Sequence, residues 1–409
     1  MKKNFVLSLL FFNIFLFGQT DFENSFLQGY LNFEKAFQLL GGDYGTTFFP
    51  LLNYGYGGRD LALSGAFTAV ADDITTLELN PAGTASLKYT EIFFSHNKLM
   101  ADVNYNTIAY TMRLNDLGFG LGTRILYIPF THYDSFGEDV ANGIISYTVI
   151  TFNVSYNFLR KYEFFGLSVG GNFKLYIYGV PENIYPSQTS VNIAFDLGLL
   201  TRFNFLKAYK SYEKNFSIGL AIKNLGPFTY NEPPPTAIAV GIGYKPIEQI
   251  LISIDFNMMI NYSELTYKNW NVRTGFEWKF TKVSSLLFGV LISSSPSFSL
   301  GVNLDFDDFS ITATYNPDLI DVSRFSVSAT LKLGDLGRSK KEAMLRKLYS
   351  DALKLMAESK YGEAKEILEF ILKKDPGFTP AKISLENCNY QLKLEKEIKN
   401  IYENQNKLQ

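Results

Sequence analysis

Few side chains in this sequence have the chemistry that catalysis requires. The 409-residue chain contains two histidines, His96 and His132, and one cysteine, Cys388. A nucleophilic cysteine needs an adjacent base, and Cys388 lies far along the chain from both histidines. We expect His96 near the end of a first strand and His132 in an outer loop, both as ordinary solvated side chains. The sequence therefore predicts a protein that is not an enzyme and has no cofactor.

Two further patterns could bind ligands. Gly118, Gly120 and Gly122 form a glycine series, but it falls inside a predicted strand and does not open a helix, as a nucleotide-binding loop would. Asp305, Asp307 and Asp308 lie close together in the sequence. They could hold a calcium ion, but an acidic turn between two strands is the commoner interpretation, so we predict no metal site.

Composition narrows the class of protein. The formal net charge is -2, and this balance near neutrality argues against a nucleic-acid partner. Aromatic residues make up 16% of the chain, with 37 Phe and 26 Tyr. No apolar run after the N-terminus is long enough for a transmembrane helix, so a membrane protein of this composition would have to be a β-barrel.

The N-terminus has the order of a secretory signal peptide. Lys2 and Lys3 precede an apolar run from Phe5 to Phe17, and small or polar residues follow from Gly18. We predict that residues 1–19 are a signal peptide and that the mature chain is exported.

Strict alternation of apolar and polar residues dominates the region from Thr90 to Leu333, as in strands. From Trp270 to Phe280, for example, large apolar residues share one face and polar residues the other. We count about fourteen such segments, most of about ten residues, which is the length that crosses a bilayer as a tilted strand. The pattern predicts a transmembrane barrel with lipid outside and a polar lumen, and a soluble secreted β-sandwich is the alternative.

The connections between these strands predict the orientation, because bacterial barrels have short periplasmic turns and longer outer loops. The predicted periplasmic turns are 115–116, 160–161, 246–247 and 282–283, and the predicted outer connections are 129–143, 179–188, 224–235 and 260–267. Two connections do not fit: 205–213 is long for the periplasmic side and 294–295 is short for the outer side. We also expect Trp270 and Trp278, on one face near opposite ends of one strand, to mark the two membrane boundaries.

A distinctive stretch, GGRDLALSGAFTAVADDITTLELNPAGTASL, precedes the first strand. The run from Leu61 to Ala71 is small and apolar enough to pack tightly inside a lumen, and the residues after it favour chain turns. We single out Asp72, Asp73, Asn80, Pro81, Ala82 and Gly83 as the hatch motif. Taken without the barrel, the motif fits equally well an ordinary helix and turn in a periplasmic loop.

This stretch resembles the N-terminal signature of the FadL-like superfamily of outer-membrane proteins, and within it the PorV-like subgroup. The resemblance implies that residues 20–89 form a hatch plugging a fourteen-stranded barrel over residues 90–334. It further implies location in the outer membrane of a diderm bacterium, contact with its lipids, and a hydrophobic ligand such as a fatty acid. Aromatic density at the rim of the third strand suggests four ligand contacts: Tyr127, Phe130, His132 and Tyr133.

The character of the sequence changes after Leu333, where a lysine- and glutamate-rich segment with helical spacing begins. This segment resembles one tetratricopeptide repeat, with predicted packing residues Leu348, Ala352, Tyr361, Ala364 and Pro376. An even number of strands would place residues 335–409 in the periplasm. A recognition module for a periplasmic protein and a plain helical hairpin are both compatible with the pattern.

Two functions follow from these features. The first is a transporter that admits hydrophobic small molecules when the hatch shifts. The second, implied by the PorV-like resemblance, is an outer-membrane anchor for assembly or secretion that binds a partner and transports nothing.

Overall fold

The computed structural model describes residues 49–99, 103–133, 136–160, 165–182, 184, 188–211, 213–227, 234–261, 266–293, 296–317 and 323–406. The predicted signal peptide and residues 20–48 of the predicted hatch lie outside these ranges.

Fourteen antiparallel strands form one closed barrel. The first seven are β1 Glu91–Lys98, β2 Asn104–Leu114, β3 Leu117–Tyr133, β4 Asp139–Phe158, β5 Leu167–Gly179, β6 Ser190–Phe203 and β7 Phe216–Leu225. The others are β8 Ala237–Ile247, β9 Ile250–Asn261, β10 Thr266–Lys279, β11 Ser284–Ile292, β12 Ser297–Asp305, β13 Phe309–Asn316 and β14 Arg324–Lys332. Each strand pairs with the next, and β1 closes on β14 with Glu91 opposite Lys332. The predicted barrel and its number of strands are confirmed.

The two faces of the wall differ in polarity, as the alternation predicts. On β10, Phe276 and Trp278 are 38% and 47% exposed on the outside, whereas Glu277 is 2% exposed on the inside. Trp270 lies on the same face as Trp278 and stacks on Phe256 at 6.0 Å between ring centroids. Apolar residues facing outward suit a lipid environment. The soluble β-sandwich alternative is wrong, because the apolar faces of the wall point away from the interior.

We call the end of the barrel with Glu91 and Lys332 the inner end, and the opposite end the outer end. The predicted outer connection 129–143 is wrong, because β3 and β4 continue through it with Pro129 paired to Ile144. Next to it, between Ser146 and Val149, apolar Tyr147 and Val149 face inward while polar Ser146 and Thr148 face outward. The usual polarity of the alternation is reversed over these four residues.

The turns at the inner end differ from expectation at two places. The connection predicted as a short turn at 160–161 is longer, since β4 ends at Phe158 and β5 begins at Leu167. β8 runs through the predicted turn 246–247 and the chain reverses at 248–249. A bulge between Tyr244 and Ile247 accommodates Pro246, which has no N–H to donate to the ladder. Turns 115–116 and 282–283 lie where predicted, and the long connection after Phe203 is also present at the inner end.

Helices lie before and after the barrel. The short helices α1 Arg59–Ala62 and α2 Thr76–Leu79, with 3-10 turns at Pro50–Asn53 and Pro81–Ser86, precede it. Three helices follow: α3 Arg338–Ala357, α4 Tyr361–Lys374 and α5 Thr379–Asn406. Within the described ranges, no helix combines the length and apolar character needed to cross a membrane.

The last three helices share a small core of their own. Ala352 of α3, Ala364 and Leu368 of α4, and Cys388 of α5 are fully buried in one cluster. Leu348 and Tyr361 pack against it, Tyr361 being the first residue of α4, and Pro376 follows the end of that helix with its side chain exposed. The small side chains of Ala352 and Ala364 allow close contact between α3 and α4.

Candidate functional site

Residues 49–90, which we call the lumen segment, lie inside the barrel and contact opposite parts of its wall. The side-chain amide of Asn80 donates to the carbonyl oxygen of Leu199 on β6 at 3.0 Å. The carboxylate of Asp255 on β9 accepts from the backbone N–H groups of Phe67 and Thr68, at 3.0 and 2.7 Å. Wall side chains thus satisfy polar backbone groups of the lumen segment, which would otherwise be buried without partners.

Glycines of the wall allow this close packing. A Cβ on Gly170 of β5 would lie 2.3 Å from the carbonyl oxygen of Pro81, and one on Gly219 of β7 would lie 2.1 Å from that of Thr68. Since real side chains do not approach so closely, hydrogen is the only substituent that fits. The series Gly118, Gly120 and Gly122 faces the lumen segment in the same way. Its function is therefore close packing against the chain.

A buried ionic network fixes the middle of the lumen segment to the wall. Glu78 of α2 pairs with Arg124 of β3 at 2.7 Å and with Lys174 of β5 at 3.0 Å. Lys174 also pairs with Asp196 of β6 at 2.8 Å, and all four side chains are at most 2% exposed. Two positive and two negative charges balance, which such a buried cluster needs because an unpaired charge is costly there.

The same network holds the outer part of the lumen segment. Arg124 donates to the carbonyl oxygens of Leu51, at 3.0 Å, and Tyr54. Asn224 of β7 accepts from Lys174 at 2.9 Å and donates to the carbonyl oxygen of Leu52 at 3.3 Å. The sequence pattern did not single out these residues, although a charged residue on the inward face of a strand, such as Arg124 or Lys174, was a signal for them.

A second ionic group lies nearer the inner end and contains the first two residues of the predicted hatch motif. Arg59 of α1 donates to Asp72, to Asp73 at 3.1 Å and to Glu277 of β10 at 2.6 Å. Burial opposes ionisation of Asp72, but the Arg59 guanidinium prevails and holds its pKa well below the usual range. Asp60, beside this group, is buried, and burial raises its pKa to about 7.

The rest of the predicted hatch motif forms a tight turn in mid-lumen. The Asn80 side chain accepts from the Ala82 backbone N–H at 3.1 Å and donates to the Thr68 carbonyl at 2.7 Å. Pro81, Ala82 and Gly83 are buried in the 3-10 turn that follows. Asn80 thus links two parts of the lumen segment with the wall, and it is a structural residue.

The outer end of the lumen is apolar and aromatic. The Phe49 ring packs edge-on against Tyr147 and Tyr176, with centroids 5.1 and 4.8 Å away. Tyr54 stacks on Tyr105 at 5.7 Å. We call this region the outer chamber; its other buried members are Leu51, Leu52, Leu99, Leu126, Val149 and Ala194. It has the composition of a pocket for hydrophobic ligands, and the chain's own side chains fill it.

The four predicted ligand contacts do not come together in this chamber. Tyr127 lies on the face of β3 that carries the exposed Leu121 and Ile125, which is the outside of the barrel. Phe130 lies opposite Gly143 farther out. His132 is in β3, paired with Ala141, so its predicted loop position is wrong. Tyr133 ends the strand, and its side chain lies outside the described part.

The residues considered for catalysis or metal binding lie in separate elements. His96 is near the outer end of β1, with Nδ1 2.8 Å from Oδ1 of Asn106. Cys388 is a free, buried cysteine of α5. Asp305 ends β12 and accepts from Lys332 at 2.5 Å. In the described residues these groups do not assemble into one reactive cluster.

A charged cavity of about 980 Å³ lies between the inner end of the barrel and helices α3 and α4. More lysine and arginine than aspartate and glutamate side chains line it. Arg160, in the turn after β4, bridges the two parts by pairing with Asp116 of the preceding inner turn and Glu342 of α3, both at 2.9 Å. The helices are therefore anchored to the inner turns of the barrel.

The lumen segment also spans the seam between β1 and β14. The Tyr56 carbonyl accepts from Ser95 of β1 at 2.5 Å and from Thr107 of β2 at 3.0 Å. Gly58 donates to Ser326 of β14 at 3.3 Å and accepts from Thr314 of β13 at 3.1 Å. Two residues of one short stretch, Tyr56 and Gly58, thus hold both sides of the closure.

Comparison with known proteins gives a family match and likenesses in fold. Residues 43–334 match the family described as uncharacterised protein family UPF0164. Two UPF0164 proteins of Treponema pallidum (strain Nichols) are similar: one is 28% identical over 365 residues, covering 84% of this chain and 83% of the relative. The other is 24% identical over 374 residues, covering 84% and 75%.

Two solved structures resemble the barrel at low identity. A deletion mutant of the TodX monoaromatic hydrocarbon channel has a TM-score of 0.45 and 13% identity, covering 68% of this chain and 97% of its own. A Pseudomonas aeruginosa FadL homologue has a TM-score of 0.46 and 10% identity, covering 68% and 98%. These likenesses concern the fold alone.

Proposed function

The chain belongs to the uncharacterised family UPF0164, and we propose from the geometry of its lumen that it is an outer-membrane channel for hydrophobic small molecules such as fatty acids. The outer chamber carries this proposal. It is an apolar, aromatic region inside a barrel whose wall is otherwise polar on its inner face. Burial of an apolar ligand there would gain roughly 25 cal/mol per Å² of surface removed from water.

In this proposal residues 20–89 act as the hatch and the inner end faces the periplasm. Phe49 occupies the place of a ligand, since its ring is 2% exposed between Tyr147 and Tyr176. A ligand entering from the outer end displaces Phe49 and the residues after it. Passage then requires the lumen segment to move away from Arg124, Lys174 and Asp255, because these residues hold it across the lumen.

A binding experiment tests the proposal. Purified protein in detergent is titrated with a fluorescent fatty acid and with an uncharged aromatic probe. Replacement of Tyr176 by Ser should weaken binding by about tenfold, since it removes a ring from the chamber. Tyr156→Ser is the matched control, because Tyr156 is 43% exposed on the outside of the barrel. Equal affinity of both variants, or no binding by the wild type, would contradict the proposal.

We also propose that residues 335–409 form a periplasmic, tetratricopeptide-like module that docks a periplasmic protein. Tyr390, Ile398 and Ile401 of α5 are 61%, 53% and 58% exposed, and large exposed apolar side chains on one helix favour an interaction surface. Deletion of 335–409 should abolish recovery of the partner while leaving a heat-modifiable barrel. Unchanged recovery would contradict the docking role.

The second candidate function is a PorV-like anchor for assembly or secretion without transport. The ionic network around Glu78 favours it, since a lumen segment held by buried charges closes the barrel. Proteoliposomes distinguish the two functions. Transfer of a labelled fatty acid across the bilayer supports the channel, whereas a protein that binds its partner but transfers no probe supports the anchor.

A further inference from the structure

Two arginines at the inner cavity have an arrangement that the proposed channel does not use. Arg113, at the inner end of β2, and Arg338, the first residue of α3, both donate to the carbonyl oxygen of Leu87, each at 3.2 Å. Two guanidinium groups therefore converge on one neutral oxygen. Both line the inner cavity.

The other hydrogen bonds of these arginines also go to carbonyl oxygens. Arg113 donates to Asn115 at 2.5 Å, and Arg338 donates to Asp335 at 2.9 Å and Lys88 at 2.7 Å, each time to the backbone. Within the described ranges, no carboxylate oxygen forms an ion pair with either guanidinium, at a limit of 4.0 Å. Carbonyl oxygens stabilise the two charges without neutralising them.

The carboxylates nearby are already engaged. Asp116 and Glu342 both pair with Arg160, at 2.9 Å, and Glu342 lies 3.7 Å from Arg346 as well. The Asp335 carboxylate accepts from the backbone N–H groups of Ser339 and Gly337, at 2.7 and 3.0 Å. The cluster therefore keeps an excess of positive charge beside an open cavity.

Burial makes this excess unfavourable. Arg113 is only 9% exposed, and the attraction of water for a buried charge is largely lost. Burial lowers the pKa of Arg338 and outweighs the Asp335 carboxylate, which raises it; the Arg160 guanidinium also lowers it. Across the cavity, Arg202 likewise donates to carbonyl oxygens, those of Val70 and Ala71 at 2.9 Å. A bound anion would compensate these charges.

We propose that the inner cavity binds an oxyanion, a carboxylate or phosphate, between Arg113 and Arg338. A guanidinium has five N–H donors, and the carbonyl oxygens use two of those of Arg113 and three of those of Arg338, which leaves donors on both for the oxygens of such a group. The cavity, at about 980 Å³, has room for a free anion or for the head group of an amphiphile. This site is separate from the outer chamber and does not depend on the proposed transport.

The test is calorimetric titration of the full-length protein in a non-ionic detergent with inorganic phosphate and, separately, with dodecyl phosphate. We expect Arg113→Gln and Arg338→Gln to weaken binding by about tenfold, roughly 1.4 kcal/mol. Lys282→Gln is the matched control, since Lys282 lines the same cavity outside the cluster and should change affinity less than twofold. Arg338 also anchors α3, so Arg338→Gln could disturb the fold. Arg338→Lys keeps the positive charge but loses the guanidinium, and this variant is measured for heat-modifiability and phosphate affinity as well.

The two probes distinguish the source of the anion. Equal affinity of both supports a free oxyanion site, and much tighter dodecyl phosphate supports an amphiphile head group. Absence of binding by either probe, or equal loss in Lys282→Gln and Arg113→Gln, would overturn the proposal. Uncharged aromatic probe binding in the outer chamber should be the same in all these variants, so failure here leaves the channel proposal intact.

Discussion

The outer chamber and the lumen beneath it are two regions of one barrel that are filled in opposite ways. In the outer chamber, side chains such as Phe49, Tyr147 and Tyr176 fill the space. Beneath it, the backbone of residues 55–87 fills the space. Glycines of the wall make room for this backbone, and the side chains of Asp255 in the wall and Asn80 in the lumen segment form hydrogen bonds with its polar groups.

This difference indicates which part of the barrel's contents a ligand could replace. An apolar ligand can replace a phenyl ring with little loss, because contacts between apolar groups are not directional. A backbone that is hydrogen-bonded to the wall cannot be displaced without leaving buried polar groups unpaired. The outer chamber is thus suited to binding and the lower lumen to closure.

The largest expected effect comes from the charge that holds the closure. Glu78→Gln leaves Arg124 and Lys174 with Asp196 as the remaining carboxylate of the network. Breaking a buried pair costs roughly 3–5 kcal/mol, so the free energy of unfolding in detergent should fall by this amount. Glu386→Gln, on the exposed face of α5, should change it by less than about 0.5 kcal/mol. Equal stability of both variants would show that the network does not hold the lumen segment.

A smaller effect is expected from the close approach of the wall. Gly170→Ala places a Cβ against the Pro81 carbonyl, so the lumen segment must shift, at a cost of roughly 1–3 kcal/mol. Gly171→Ala is the matched control, because a Cβ there meets its nearest atom at 3.5 Å. Only Gly170→Ala should lower the unfolding free energy and raise single-channel conductance in planar bilayers. A conductance increase in both would dissociate the effect from packing in the lumen.

In the outer chamber, removal of a packed side chain should strengthen the binding of a ligand. Phe49→Ala removes the ring that a ligand must displace, so affinity for an aromatic probe should rise by about tenfold, or roughly 1.4 kcal/mol. The measurement is fluorescence titration of the purified protein. Phe136→Ala, at a residue 90% exposed, should leave the affinity unchanged. Weaker binding by Phe49→Ala would mean that Phe49 contacts the ligand instead of occupying its place.

The smallest expected effect is a dependence of stability on pH. Burial, assisted by the Asp73 carboxylate, raises the pKa of Asp60 to about 7, so folding favours its protonated form. This contribution is complete below the ordinary pKa of about 3.8 and is lost as the pH rises through 7. Between about pH 6 and pH 8 the loss is on the order of 1 kcal/mol. In Asp60→Asn, thermal unfolding should lose this dependence, and a retained slope would assign it to another group.

The wall of the barrel was predictable because the polarity of each strand is a local property. Phe276, Glu277 and Trp278 show in three residues which side faces the lumen. The outward extension of β3 and β4 through 129–143 was not predictable in this way, since Pro129 and Gly143, at its two ends, are residues typical of turns. Such residues inside a strand obscure its continuation.

The candidate sites were harder to predict because they depend on contacts between distant residues. Gly118, Gly120 and Gly122 were evident as a series, but only the fold shows that their spacing matches the lumen segment. Glu78 and Lys174 are 96 positions apart. The four residues chosen for aromatic density do not come together in the outer chamber. Tyr127, for example, lies on the outward face of β3, and aromatic density along a strand does not tell which face a residue occupies.

The contacts of Tyr56 and Gly58 with β1, β2, β13 and β14 have a consequence for the order of folding. These bonds lie on the interior side of the seam and join both sides of it to one stretch of backbone. We therefore expect the lumen segment to favour pairing of the first and last strands, with the early part of the chain serving as the template on which the late part docks.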